Sequence, residues 1–135
     1  MVTAWNPTVL SASTPSCGLY TLTIPFTSTS SHYTLTITNV YASADHRDTD
    51  SFLAELSSIQ IDGNTLWLLI DDFNLMRASS DKNTPGFNCG LANRFNTTID
   101  SLALLELPLL DRRYTWSNKR EQPTLARLDR AHINN

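Results

Sequence analysis

The chain has 135 residues, of which 41% are hydrophobic, so it suits one domain with a real core. The charged fraction is low at 17%, the formal net charge is -3, and no apolar run approaches the ~18 residues that cross a bilayer, which excludes a spanning helix. Residues 1–7 have neither the basic nor the apolar stretch of a signal peptide, and Cys17 and Cys89 stand alone without a CxxC pair. They read as reduced, half-buried thiols of an intracellular protein.

Charge is unevenly distributed. Residues 111–130 hold six basic residues, Arg112, Arg113, Lys119, Arg120, Arg127 and Arg130, against three acids. The rest of the chain holds four basic and ten acidic residues. A basic stretch that includes Tyr114 and Trp116 can track a phosphate backbone, and a solvated loop of mixed charge would have the same composition.

In chain order, Tyr20 to Ile24 and Tyr33 to Thr38 alternate apolar residues with threonines. With the polar connector Phe26 to His32, they predict an antiparallel hairpin with a threonine-lined wet face. The second strand continues to Ala42, and parity places Tyr41 with Tyr33, Leu35 and Ile37 on the core side. Phe52, Leu56 and Ile59 recur at helical spacing, widened by Leu53, and predict a helix over 50–59 capped by Asp48 or Asp50. Asp62-Gly63-Asn64 turns the chain into Leu66 to Ile70, an apolar run expected to be buried on both faces of a sheet. A Ser, Asn, Pro and Gly-rich loop covers 77–90. A second helix is expected over 91–105, on Leu91, Phe95, Ile99, Leu102 and Leu105, ended by Pro108. Two short strands follow, over 114–117 and 124–133. The alternation gives an α/β or α+β class, with residues 1–135 as one domain and no internal repeat.

The chemistry concentrates where the buried run stops, at Asp71-Asp72-Phe73-Asn74. Sites in such sheets lie beyond the carboxyl ends of strands. If the extended backbone persists, Asp72 and Asn74 share a face. A hard carboxylate oxygen for a divalent cation beside an amide for a phosphate oxygen suits phosphodiester chemistry. The other reading is a polar turn closing a buried strand. Taken singly, Tyr41 reads as a strand-end core aromatic, and Asp129 as a surface acid paired with Arg127 or Arg130.

Four ordered phrases carry a resemblance. Residues 67–74 (WLLIDDFN) resemble the GDFN strand end of the endonuclease/exonuclease/phosphatase superfamily. Residues 107–120 (LPLLDRRYTWSNKR) and 123–130 (PTLARLDR) are similar to its plant non-LTR retrotransposon branch. Residues 38–42 (TNVYA) resemble the NVYAP strand end, and 3–7 (TAWNP) the strand before it. The resemblance implies a partial four-layer α/β sandwich, two sheets face to face with helices outside, lacking its first strands and its last. It implies Mg²⁺-dependent cleavage of phosphodiesters, DNA as partner, and no small-molecule cofactor or membrane.

Carried over by position, Tyr41 contacts the scissile phosphate and Asp72 serves proton transfer or the metal. Asn74 positions the phosphate and the attacking water, Thr115 lies near the DNA cleft, and Asp129 orients a catalytic histidine. Arg112, Arg113, Lys119 and Arg120 are the candidate nucleic-acid contacts. The family's metal-ligating Glu and its Ser-Asp-His segment have no counterpart. His32, His46 and His132 read as surface or packing residues, His132 facing away from Asp129 on an extended strand. The expectation is therefore an inactive fragment with one core face partly bare, or a non-catalytic nucleic-acid-binding relic. Asp71 stands where the family has Gly. If that position needs positive φ, the replacement costs on the order of 1 kcal/mol or more.

Overall fold

The computed structural model describes residues 1–134. The strands are β1 (Leu10–Ala12), β2 (Ser16–Cys17), β3 (Thr21–Ser28), β4 (Thr34–Tyr41), β5 (Leu66–Asp72), β6 (Leu104–Glu106), β7 (Trp116–Ser117), β8 (Leu125–Ala126) and β9 (Asp129–Asn134); α1 (Thr49–Ser58) lies between β4 and β5, and α2 (Cys89–Ser101) between β5 and β6. Seven strands form one mixed sheet in the order β1-β3-β4-β5-β9-β6, with β2 also paired to β3, while β7 and β8 make a separate ribbon. Strands β4 and β5 run parallel, as the intervening α1 crossover requires, and the other pairs run antiparallel.

Both helices cover the same face. Phe52, Leu53 and Leu56 of α1 and Leu91, Phe95 and Ile99 of α2 bury Val40, Trp67, Leu69, Phe73 and Leu104. Among the described residues, no helix is long and apolar enough to cross a membrane. Among the described residues, one large sheet layer and one helix layer are therefore present beside the β7–β8 ribbon, two of the four layers that the resemblance implies.

The hairpin faces are the reverse of expectation. Thr21, Thr23, Thr36 and Thr38 lie buried beneath the helices, whereas Leu35 and Ile37 are only half-buried on the far face. Threonines are tolerated there because their hydroxyls find partners. Thr23 and Thr38 share a 2.9 Å hydrogen bond, and the Trp67 indole N–H donates to Thr38 Oγ1 at 2.9 Å. The strand expected to be buried on both faces divides likewise. Trp67 and Leu69 are buried, while Leu66, Leu68 and Ile70 are half-buried. Tyr41 is thus not a core aromatic; it is 63% exposed.

Three boundaries differ as well. Residues 3–7 form no strand, and they lie over the far face instead. The Trp5 ring packs edge-on against Phe26 at 5.3 Å, and Thr3 is hydrogen-bonded to the Asn39 amide. The second helix starts at Cys89 and ends at Ser101, capped by Asn88 Oδ1, which accepts from the Leu91 N–H at 3.0 Å. Ala103, at φ 52°, then reverses the chain into β6, because pairing with β9 satisfies backbone groups that more helix would leave at a sheet edge. Helix α1 opens at Thr49 with Asp48 at its cap position, but the Asp48 side chain makes no capping bond. Cys17 and Cys89 are free as expected, yet both are exposed.

A candidate active site at the strand ends

Strands β4 and β5 finish at the same end of the sheet, and antiparallel β9 begins there. Register pairs Tyr41 with Asp72 and Asp72 with Asp129, so the three stand side by side on adjacent strands. All three share parity with Ile37, Leu68 and Ile133, which puts them on the face away from the helices. Cross-strand neighbours of this kind have Cβ atoms ~4.5–5.5 Å apart.

The strand end is held open by its backbone. Asp71 adopts φ 100°, a conformation that L side chains rarely take, and Asn74 adopts φ 48°. Between them Phe73 is fully buried against Phe52 and Phe95 and anchors the reversal. The extended backbone does not persist to Asn74, so its side chain does not simply follow Asp72. Its amide Nδ2 donates to the Ala42 carbonyl at 2.7 Å, and its backbone N–H donates to Asp72 Oδ1 at 2.9 Å. Asn74 thereby ties the ends of β4 and β5 together. It also lines a cavity of about 250 Å³ with His46, Lys82 and Asn88.

Electrostatics single out Asp72. Its carboxyl is held above the usual carboxylate range, first by burial and then by the negative charges of Asp129 and Asp71, against the hydrogen bond from the Asn74 N–H. Such a cluster favours a proton or a cation. The hard oxygens that a divalent cation would meet here are those of Asp72 and Asp129. Among the described residues, no group of three or more His, Cys, Asp or Glu side chains is placed to hold a metal ion.

Thr115 acts on this row from outside it. Its hydroxyl accepts from the backbone N–H groups of Leu128 at 3.0 Å and Asp129 at 3.1 Å, which fixes the start of β9 and so the place of Asp129. The β7–β8 ribbon begins at the next residue. On and around it Arg112, Arg113, Lys119 and Arg120 are exposed, as is Trp116 at 46%. The Arg113 guanidinium lies 5.5 Å over the Tyr114 ring.

The other two members of the basic stretch face inward. Arg130 pairs with Asp81 and Glu106, and Arg127 with Glu106 at 2.6 Å, so neither pairs with Asp129. Arg77 joins Glu106 at 2.8 Å. Glu106 and Asp81 are both held below the usual carboxylate range: burial pushes them up, but hydrogen bonds to Arg77 and the charge of Arg130 outweigh it. His132, fully buried on the helix side between Phe73 and Phe95, is pushed down to about 4 by burial and stays neutral. Neither this network nor its acids, Asp81 and Glu106, is apparent from the sequence. The one available signal is the two-residue spacing of Arg130 and His132, which sets them on one face of an extended strand.

No protein-family model and no curated protein matches the sequence. Solved structures do match. The endonuclease domain of TRAS1, a telomere-specific non-LTR retrotransposon, is 13% identical with a TM-score of 0.66 over 86% of this chain and 51% of its own. A humanized Danio rerio TDP2 is 14% identical, with a TM-score of 0.58 over 94% of this chain and 53% of its own. The AP endonuclease LMAP from Leishmania major is 13% identical, with a TM-score of 0.56 over 86% and 46%. The chain spans about half the length of these structures and shares their fold.

Proposed function

We propose that the chain is a single partial domain of a Mg²⁺-dependent phosphodiesterase, of the kind found in plant non-LTR retrotransposon endonucleases, and that it does not cleave DNA by itself. The observation that carries this reading is the register that sets Tyr41, Asp72 and Asp129 in one row at a strand end.

In this reading the Tyr41 phenol donates a hydrogen bond to a non-bridging phosphate oxygen. Asp72 holds a proton, which its raised affinity favours, and would supply it in proton transfer. Asn74 keeps the two strand ends in register, and its second amide N–H would meet the phosphate. Mg²⁺, held by Asp72 with Asp129 beside it, would supply charge neutralisation to the phosphate. The placement of His132 on the opposite face of β9 from Asp129 supports inactivity.

Plasmid nicking in Mg²⁺, with Asp72→Ala as control, tests the proposed inactivity. Both chains should leave supercoiled plasmid intact, and nicking that Asp72→Ala abolishes would overturn it. The metal reading has its own readout. Mg²⁺ should lower the Asp72 carboxyl pKa in an NMR titration, because a cation favours the charged form. A pKa indifferent to Mg²⁺ would remove it.

A second reading, nucleic-acid binding without catalysis, is favoured by the exposed cations and the exposed Trp116 of the β7–β8 ribbon. Replacing Arg112, Arg113, Lys119 and Arg120 by Ala should reduce the slope of log affinity against log salt by about 3–4. An unchanged slope would eliminate this reading.

A further inference from the structure

The inward-facing cluster on the helix side of β9 does not balance its own charge. Arg77, Arg127 and Arg130 pair with only two acids, Asp81 and Glu106, both held ionised, while His132 beside them stays neutral. Three cations against two anions leave one positive charge over. Donors are in surplus too. Asn96 is already spent on Arg77, its Oδ1 accepting from Nε at 2.6 Å and its Nδ2 donating to the Arg77 carbonyl at 3.0 Å. Among the described residues, the Nε atoms of Arg127 and Arg130 are buried with no hydrogen-bond partner, and the Arg130 side chain is only 1% exposed. A buried charge left uncompensated is costly, and one further anion beside the cluster would answer it.

Space for that anion adjoins the cluster. A cavity of about 400 Å³, open to solvent, is lined by all five charged side chains and by Asn96. Arg77 and Arg127 are 24% and 22% exposed, so Glu106 holds their guanidiniums in place while leaving them accessible. The Glu106 oxygens are turned to the three arginines, which screens an incoming anion from them. Register puts Arg130 on the face of β9 opposite Asp129, so this cavity is separate from the strand-end row. The Arg113 guanidinium donates to the Ser80 carbonyl at 3.4 Å, which brings the exposed cations of the 112–120 segment up to the Ser79–Asp81 turn at the cavity wall.

We propose that this cavity is an oxyanion site for one singly charged phosphate group. Planar guanidiniums meet phosphate oxygens with paired N–H donors, and a single negative charge cancels the surplus. The cationic approach along Arg113 makes a nucleic-acid backbone one source of that group, and free phosphate is the other.

Amide chemical shifts of the full chain, followed by NMR as inorganic phosphate replaces chloride at constant ionic strength, test the proposal. Saturable changes should centre on Asn96, Glu106, Leu107 and Arg127, and Asp72→Ala should leave them as they are. Asn96→Asp keeps the acceptor for Arg77 and supplies the missing charge from within, so it should weaken phosphate binding by roughly tenfold or more. Arg77→Gln, which removes an accessible cation, should do the same, and circular dichroism checks the fold of both variants. A duplex oligonucleotide separates the sources. Changes at the same amides that phosphate competes away support the backbone, and changes with phosphate alone support the free ion. Phosphate changes no larger than those with sulfate or chloride, an adventitious ion only, would overturn the proposal. So would native affinity in a folded Asn96→Asp or Arg77→Gln chain, or changes that Asp72→Ala abolishes.

Discussion

Asp71 is the residue at which local strain and charge meet. It sits at φ 100° with an exposed side chain, so its conformation is imposed by the strand pairing before it and the Phe73 anchor after it. Asp71→Gly should raise stability by about 1 kcal/mol, read as a higher denaturant midpoint at constant slope. The same change removes one of the charges holding the Asp72 carboxyl up, so the Asp72 pKa should fall in an NMR titration. Thr115 presents the opposite case, a polar side chain whose value is its acceptor. Thr115→Val keeps the shape and strands two backbone N–H groups, with an expected cost of about 1–3 kcal/mol. Chemical-shift changes should centre on Leu128 and Asp129. A change confined to residues 112–120 would show that the hydroxyl does not hold β9.

At the scale of elements, helix α1 is fastened to the sheet by one carboxylate. Glu55 accepts from the backbone N–H groups of Leu19 and Tyr20, both at 3.0 Å, and from the Thr21 hydroxyl at 2.7 Å. The approach is close enough that a Cβ at Gly18 would lie 2.1 Å from Glu55 Oε1, so this glycine is fixed by space and not by its backbone angle. Glu55→Ala should cost about 1–3 kcal/mol, and hydrogen exchange at Tyr20 should accelerate more than at Leu69 in the sheet centre. Equal acceleration at both sites would mean a global loss and not a broken tie.

For the whole molecule, pH is the informative variable. His132 is pushed down to about 4 in the folded chain against an unfolded value near 6.5. Between those values the unfolded chain binds more protons, so stability should fall as pH drops from about 6.5 to about 4, by up to roughly 3 kcal/mol. Asp81 and Glu106 add a loss at lower pH, because their depressed carboxyls must take up protons on the way to unfolding. Melting curves across this range check the sign. His132→Leu should flatten the upper part, and a slope identical to the native chain would show that His132 is not its source.

Sequence alone determined which residues stand at strand ends and in what order. Apolar periodicity located β3, β4, α1, β5 and α2, and the local identity of residues 67–74 marked the turn at which the candidate site is placed. What it did not determine was which face of each strand is covered. Alternation makes two faces distinct without naming the inner one, and threonine methyls with mutually bonded hydroxyls pack beneath helices as well as leucines do. Nor did it separate Arg127 and Arg130 from the exposed cations, since their partners Asp81 and Glu106 lie far along the chain. Only tertiary structure decided these points. Burial and charge pairing depend on which strands become neighbours, and the pairing of β4, β5 and β9 brings together residues that the chain keeps tens of positions apart.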